Sequence, residues 1–212
     1  MIYADALRIA DEWRALIEPC CETDHAWVVG SVRRHKHEVH DVELLGKPIL
    51  KAPKPAFGDR QTFATPLDRL LFNMCKDGWL FKGTKNGQKA KQFFVNLRRY
   101  GIDSLNPFKL ELYLMTPPAQ WGVGAVIRTG PGSEVDNFSR WCVTNHSMGG
   151  GLPDGFKVRH LAVWSNDQLD SRLEPIAGEI PMEMPLETDF LSFVGLDWIE
   201  PQYRHVPRGR RV

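Results

Sequence analysis

Apolar positions recur along the chain in two rhythms, and each change of rhythm marks a new element. Ala6, Ala10, Trp13 and Ile17 repeat at helical spacing, so residues 4–18 read as an amphipathic helix that Pro19 closes. Ala26-Trp27-Val28-Val29 is a short buried strand stopped by Gly30-Ser31, and residues 39–45 form a second strand. Residues 46–66, with Pro48, Pro53, Pro55 and Pro66, read as a loop or insertion. Leu67, Leu70, Leu71, Met74 and Cys75 put one apolar face on a helix over 67–80. Strands follow at 92–95 and 109–115, the second alternating at Leu110, Leu112 and Leu114, and a helix over 120–128 opens after Pro117-Pro118. From about Thr129 onward, glycine-rich turns at 130–132 and 149–155 separate short strand-like and helical pieces. The pattern gives an α+β chain in two parts. Residues 1–128 make the main domain with its N-terminal helix, and residues 129–212 make a smaller α+β subdomain with a basic tail.

Composition narrows the class. A chain of 212 residues with 42% hydrophobic and 25% charged residues is ordinary for a globular enzyme. No apolar run approaches the ~20 residues that span a bilayer, so no membrane partner is expected. The N-terminus carries acids early and no basic head before an apolar stretch, which argues against a secretory signal. Cys20, Cys21, Cys75 and Cys142 match neither a zinc ribbon nor a disulfide framework, so a reduced, cytoplasmic or nucleoid-associated protein is expected.

The net charge of +1 hides an uneven distribution. Seven basic residues lie between Lys76 and Tyr100 against the one acid Asp77, and the tail adds Arg204, Arg208, Arg210 and Arg211. Residues 167–200 carry nine acids and one arginine. Such asymmetry suits a polyanion on one side of the molecule, and equally suits a solvated basic face.

The chemistry concentrates in Gly30-Ser31-Val32-Arg33-Arg34 followed by Asp41-Val42-Glu43. A strand ending in Gly-Ser makes a tight turn whose backbone and hydroxyl can meet phosphate oxygens. Arg33 and Arg34 add guanidinium forks suited to a triphosphate. Asp41 and Glu43, two apart on a strand, point to one face. Carboxylates gathered on one face are hard-oxygen ligands for Mg²⁺ or Mn²⁺. Glu111, set among alternating leucines, is the candidate third acid; alone it would read as a solvent-facing strand residue. His35, His37 and His40 lack the spacing of a zinc motif and read as neighbours of a triphosphate or as exposed side chains. Cys142 near His146 lacks a third orienting group for thiol catalysis, and Gly149-Gly150-Gly151 lacks the Lys-Ser/Thr of a phosphate loop.

Taken in order, these segments resemble the DNA polymerase family X branch of the nucleotidyltransferases. VVGSVRRHKHEVHDVELL resembles that family's palm motif, KLELYL the strand bearing its third acid, PPAQWGVGAVIRTG the helix and Thr-Gly turn beneath the incoming nucleotide, and TDFLSFVGLDWIEPQYR the segment closing the thumb. The four span roughly residues 6–204, and the ordered set is far more specific than any one of them. Departures accompany the likeness. Only one helix precedes Gly30, so the family's lyase domain is not expected. Val39-His40 replaces a small residue and Gly, Glu43 replaces the usual Asp, and Ile127-Arg128 replaces an aromatic pair.

The resemblance implies a nucleotidyltransferase palm, a mixed sheet backed by helices, followed by a thumb-like subdomain. It also implies two-metal transfer of a nucleotide from a nucleoside triphosphate to a 3′-hydroxyl, as in gap-filling DNA repair. Asp41, Glu43 and Glu111 would hold the ions. Gly30, Ser31, Arg33, Arg34 and His40 would surround the phosphates, with Ile127, Arg128, Thr129 and Gly130 near the sugar and base. Lys82, Lys85, Lys89, Lys91, Lys109 and Arg140 would meet the nucleic acid, and the chain is expected to act as a monomer. Two other readings stay open: transfer to an RNA, protein or small-molecule acceptor, and a non-catalytic nucleic-acid-binding module.

Overall fold

The computed structural model describes residues 1–50, 64–131 and 137–207. They belong to two compact units, Met1–Leu114 and Met115–Val212. The expected boundary near residue 129 keeps the helix after Pro117-Pro118 with the first domain. In the structure that helix belongs to the second unit, because Val123 and Val126 are buried in one cluster with Phe138, Phe190 and Leu191. The architecture is α+β, with a five-stranded mixed sheet in the first unit.

The first unit opens with α1 (Tyr3–Ile17), whose buried stripe is Ala6, Ile9, Ala10, Trp13 and Ile17. It continues through β1 (Cys21–Val29), a single-turn α2 (Gly30–Arg33), β2 (Asp41–Pro48), α3 (Pro66–Lys76), β3 (Leu80–Asn86), β4 (Ala90–Val95) and β5 (Phe108–Leu114). The sheet order is β1-β2-β5-β4-β3; β2 and β5 run parallel and the other neighbours antiparallel. Because side chains alternate across a strand, Val42 and Leu44 of β2, Leu110 and Leu112 of β5, and Phe93 and Val95 of β4 share one face. They form one core with the buried residues of α1 and with Leu67 and Leu71 of α3. The intervening residues Asp41, Glu43, Lys109 and Glu111 therefore occupy the opposite face.

Two local features explain where sequence and structure part. The helix α3 starts on a Thr65 cap, whose hydroxyl accepts from the Asp68 amide at 3.1 Å and donates to the Asp68 carboxylate at 2.7 Å. It ends at Lys76 rather than continuing to Leu80, since Gly78 turns with a φ of +72° and leads into β3. The sequence predicts no strand there, because only Leu80 of β3 is buried and it carries no apolar period. Most of the expected 46–66 insertion, residues 51–63, lies outside the described residues.

The second unit contains α4 (Trp121–Thr129), α5 (Phe138–Val143), the hairpin β6 (Phe156–Arg159) and β7 (Ala162–Ser165), and α6 (Glu187–Phe193). Gly122 is required at the start of α4: its amide donates to the Met184 carbonyl at 2.8 Å, and an added Cβ would lie 2.0 Å from the Leu186 carbonyl oxygen. Glu187 and Arg204, both buried, pair at 2.9 Å beside this core. Among the described residues no helix is long and apolar enough to cross a membrane.

Candidate active site

Strand register assembles the acids. Asp41 and Glu43 share a face of β2, and the parallel pairing with β5 sets Lys109 beside Asp41 and Glu111 beside Glu43. The antiparallel pairing with β1 sets Val29, the last residue before the turn, opposite Glu43. Gly30 then turns with a φ of +68°, and an added Cβ there would fall 2.0 Å from Glu43 Oε2. A glycine is needed both for the backbone and for the space the carboxylate fills. Beside it, Ser31 Oγ is buried with no hydrogen-bond partner among the described residues. A buried hydroxyl of that kind suits an incoming acceptor such as a phosphate oxygen.

Each acid has a different electrostatic setting. Burial raises the Asp41 pKa above its ordinary value and the nearby Glu111 adds to the rise, while Lys109, His40 and Arg34 pull it back. Burial also acts to raise Glu111. Hydrogen bonds from Tyr113, Gln92 and Lys85 outweigh it and hold that carboxyl below the usual range. Gln92 Nε2 donates to Glu111 Oε1 at 2.6 Å, Lys85 Nζ lies 3.2 Å from the same oxygen, and the Tyr113 hydroxyl donates to Oε2. Burial lowers the Arg34 pKa, and the carboxylates of Glu43 and Asp41 oppose that shift. The face is thus a patch of carboxylate oxygens bordered by Lys85, Lys109 and Arg34.

The donor chemistry fits divalent cations: three carboxylates on one face, two of them directly adjacent, with a glycine cradle against one. Among the described residues, no three of His, Cys, Asp and Glu converge as a ready-made metal cluster. Glu111 in particular is oriented by Gln92 and Tyr113.

The remaining expected site residues are dispersed. Arg33 stacks over the Trp27 ring, 5.7 Å from its centroid, and His40 is exposed. Lys91 is buried on the core side of β4, where it pairs with Asp68 at 2.9 Å and donates to Asn86 at 3.3 Å. Lys82 and Lys89 are exposed, and Lys85 lies against Glu111. Ile127, Arg128, Thr129 and Gly130 belong to the second unit. There the Ile127 carbonyl accepts from Ser139 Oγ at 2.7 Å, Arg128 is half-buried, Thr129 is buried, and a Cβ on Gly130 would lie 2.6 Å from Ser139 Oγ. Arg140 is exposed on α5.

Sequence reasoning passed over Gln92 and Tyr113. Tyr113 sits at i+2 from Glu111 on one strand, a spacing that puts the two on one face. Gln92 gave no signal, because its role depends on the β4–β5 register. No family model matches the chain, and no curated protein matches it.

Proposed function

We propose that this chain is a metal-dependent nucleotidyltransferase of the DNA polymerase family X type, with the palm in its first unit. One observation carries the reading: Asp41, Glu43 and Glu111 share one face of adjacent parallel strands, with Glu43 packed against Gly30 of the Gly30-Ser31 turn. Burial, with Glu111 adding to it, raises the Asp41 pKa on this face, and a perturbed carboxyl set among other acids supports a functional reading.

Asp41, Glu43 and Glu111 would hold Mg²⁺ or Mn²⁺, which supplies charge neutralisation of the triphosphate and activation of the acceptor hydroxyl. Glu43 keeps its carboxylate against Gly30, close to where the phosphates are to be received. The Ser31 hydroxyl donates to a phosphate oxygen, and the Arg34 guanidinium, held near Asp41 and Glu43, balances phosphate charge. Gln92 and Tyr113 orient the Glu111 carboxylate, which would stand beside the 3′-hydroxyl of the acceptor. The 3′-hydroxyl gives up its proton to water, and in-line attack of its oxygen on the α-phosphorus forms the new phosphodiester as the bond from that phosphorus to the α–β bridging oxygen breaks and pyrophosphate leaves.

The test is incorporation of a labelled nucleoside monophosphate into gapped, nicked and single-stranded DNA with Mg²⁺ or Mn²⁺. Metal-dependent extension that is lost in Asp41→Asn supports the reading. Absence of any transfer to a nucleic-acid 3′ end by the wild-type chain removes it.

A further inference from the structure

The register that gathers the acids also runs a second row across the same face. Asp41 of β2 stands beside Lys109 of β5, Lys109 opposite Phe94 of β4, and Phe94 opposite Phe81 of β3. Directly opposed residues in a ladder share a face, so the row reads acid, cation, aromatic, aromatic. With strands roughly 4.8 Å apart, Phe94 lies about 10 Å and Phe81 about 14 Å from Asp41 along the sheet.

The aromatics are not core. The buried cluster uses the other face of these strands, through Leu80, Phe93 and Val95. Phe81 is 55% exposed, with its ring on the same face as Lys109 and Phe94. Together Phe81 and Phe94 line a groove of about 430 Å³ with Asn96, Arg98 and Asn106 along it. Arg98 and Lys109 are exposed, so the groove is flanked by positive charge.

Aromatic faces flanked by cations are how unpaired bases on a phosphodiester backbone are gripped without regard to sequence. A paired duplex shows base edges and backbone, and its base faces are already stacked. We infer that Phe81 and Phe94 form a stacking platform for unpaired bases at the 3′ end of a single-stranded nucleic acid, with Lys109 and Arg98 on its phosphates. The strand then runs along the row toward Asp41, so the preferred acceptor carries a single-stranded 3′ end. This inference rests on the nucleotidyltransferase reading for its direction along the row.

The test measures binding by fluorescence anisotropy with the full chain and no nucleotide. One probe is a short fluorescein-labelled oligodeoxyadenylate. A second is the same strand with abasic residues at its 3′-terminal positions, and a third is a blunt hairpin duplex. The wild-type protein binds the base-bearing strand more tightly than the abasic strand. Phe81→Ala loses on the order of tenfold on the base-bearing strand, with little change on the abasic strand or the duplex. Phe81→Trp keeps the affinity, and Phe94→Leu also weakens the base-bearing strand alone. Equal loss on all three probes, an unchanged Phe81→Ala protein, or a wild-type protein indifferent to the bases overturns the platform. Because binding is read without turnover, a chain that grips bases through Phe81 yet transfers no nucleotide keeps the platform and loses only the transfer reading.

Discussion

Glu43 and Gly30 are fitted to each other: the carboxylate of one occupies the space that a side chain on the other would need. The Glu43 Oε2 atom lies 2.0 Å from where a Gly30 Cβ would stand, and the glycine has a φ of +68°. Neither residue can be changed without disturbing the acidic face.

Gly30→Ala is therefore expected to lose transfer activity, at a stability cost above the about 1–2 kcal/mol of a left-handed alanine, because the new Cβ must also displace Glu43. Gly101→Ala is the matched control. That residue has a φ of +71° with nothing within 4 Å of an added Cβ. Thermal melts should fall in both variants and further in Gly30→Ala, with activity retained in Gly101→Ala alone. Equal activity in the two would show that Glu43 does not need its cradle.

Asp41 gives a pH signature. Its folded pKa is raised by burial and by Glu111, so the protonated form favours folding, and its ionisation withdraws stability as pH rises through the folded value. Asp41→Asn should be more stable than wild type at neutral pH, on the order of 1 kcal/mol. The gap should close as pH falls into and below the ordinary carboxylate range. Melting curves across pH, without added metal, check this. A gap that widens on acidification would reverse the assigned sign.

Lys91 and Asp68 behave oppositely. Burial acts to raise the Asp68 pKa, but hydrogen bonds from Lys91 and Thr65 hold it below the usual range. That pair supports folding above the unfolded carboxylate pKa and is lost as pH falls through the lowered one. Lys91→Met, which leaves the half-buried Asp68 without its cation, should cost about 1–3 kcal/mol by chemical denaturation. Its effect on nucleic-acid affinity should be small beside that of Lys109→Ala, measured by the same anisotropy assay.

Much of this was legible in the residues. The buried stripe of α1, the leucine alternation of β5 and the Asp41/Glu43 spacing each follow from a local period, and local periods survive folding. The pairing of Glu43 with Glu111 and the row ending at Phe81 depend on which strands neighbour one another, which no single strand encodes. Edge strand β3 is hidden because its only apolar side chains, Leu80 and Phe81, are adjacent, and Lys82, Thr84 and Lys85 follow where a period would show. For the same reason the lysine-rich stretch read as a uniform basic patch. The structure instead divides it among a buried ion pair at Lys91, a contact with Glu111 at Lys85, and exposed Lys82 and Lys89.

In the second unit, Arg204 and Glu187 have side-chain exposures of 0% and 4% and lie 2.9 Å apart. Removing one partner leaves a buried charge uncompensated, so Arg204→Met should destabilise by about 3–5 kcal/mol. Glu187→Gln combined with Arg204→Met should recover part of the loss. A double variant no more stable than Arg204→Met would show that packing of Arg204 on Trp198, 5.3 Å away, matters more than its charge.

The most direct measurement is single-turnover transfer of a labelled nucleotide to a DNA 3′ end with Mg²⁺, comparing wild type with Asp41→Asn, Glu43→Gln and Glu111→Gln. Each variant should lose on the order of 10²–10³ in rate with its far-UV circular dichroism unchanged, and chelation of the metal should abolish wild-type turnover. Full turnover in a folded Asp41→Asn protein, or wild-type transfer that survives chelation, would contradict a metal-dependent site built on these three acids.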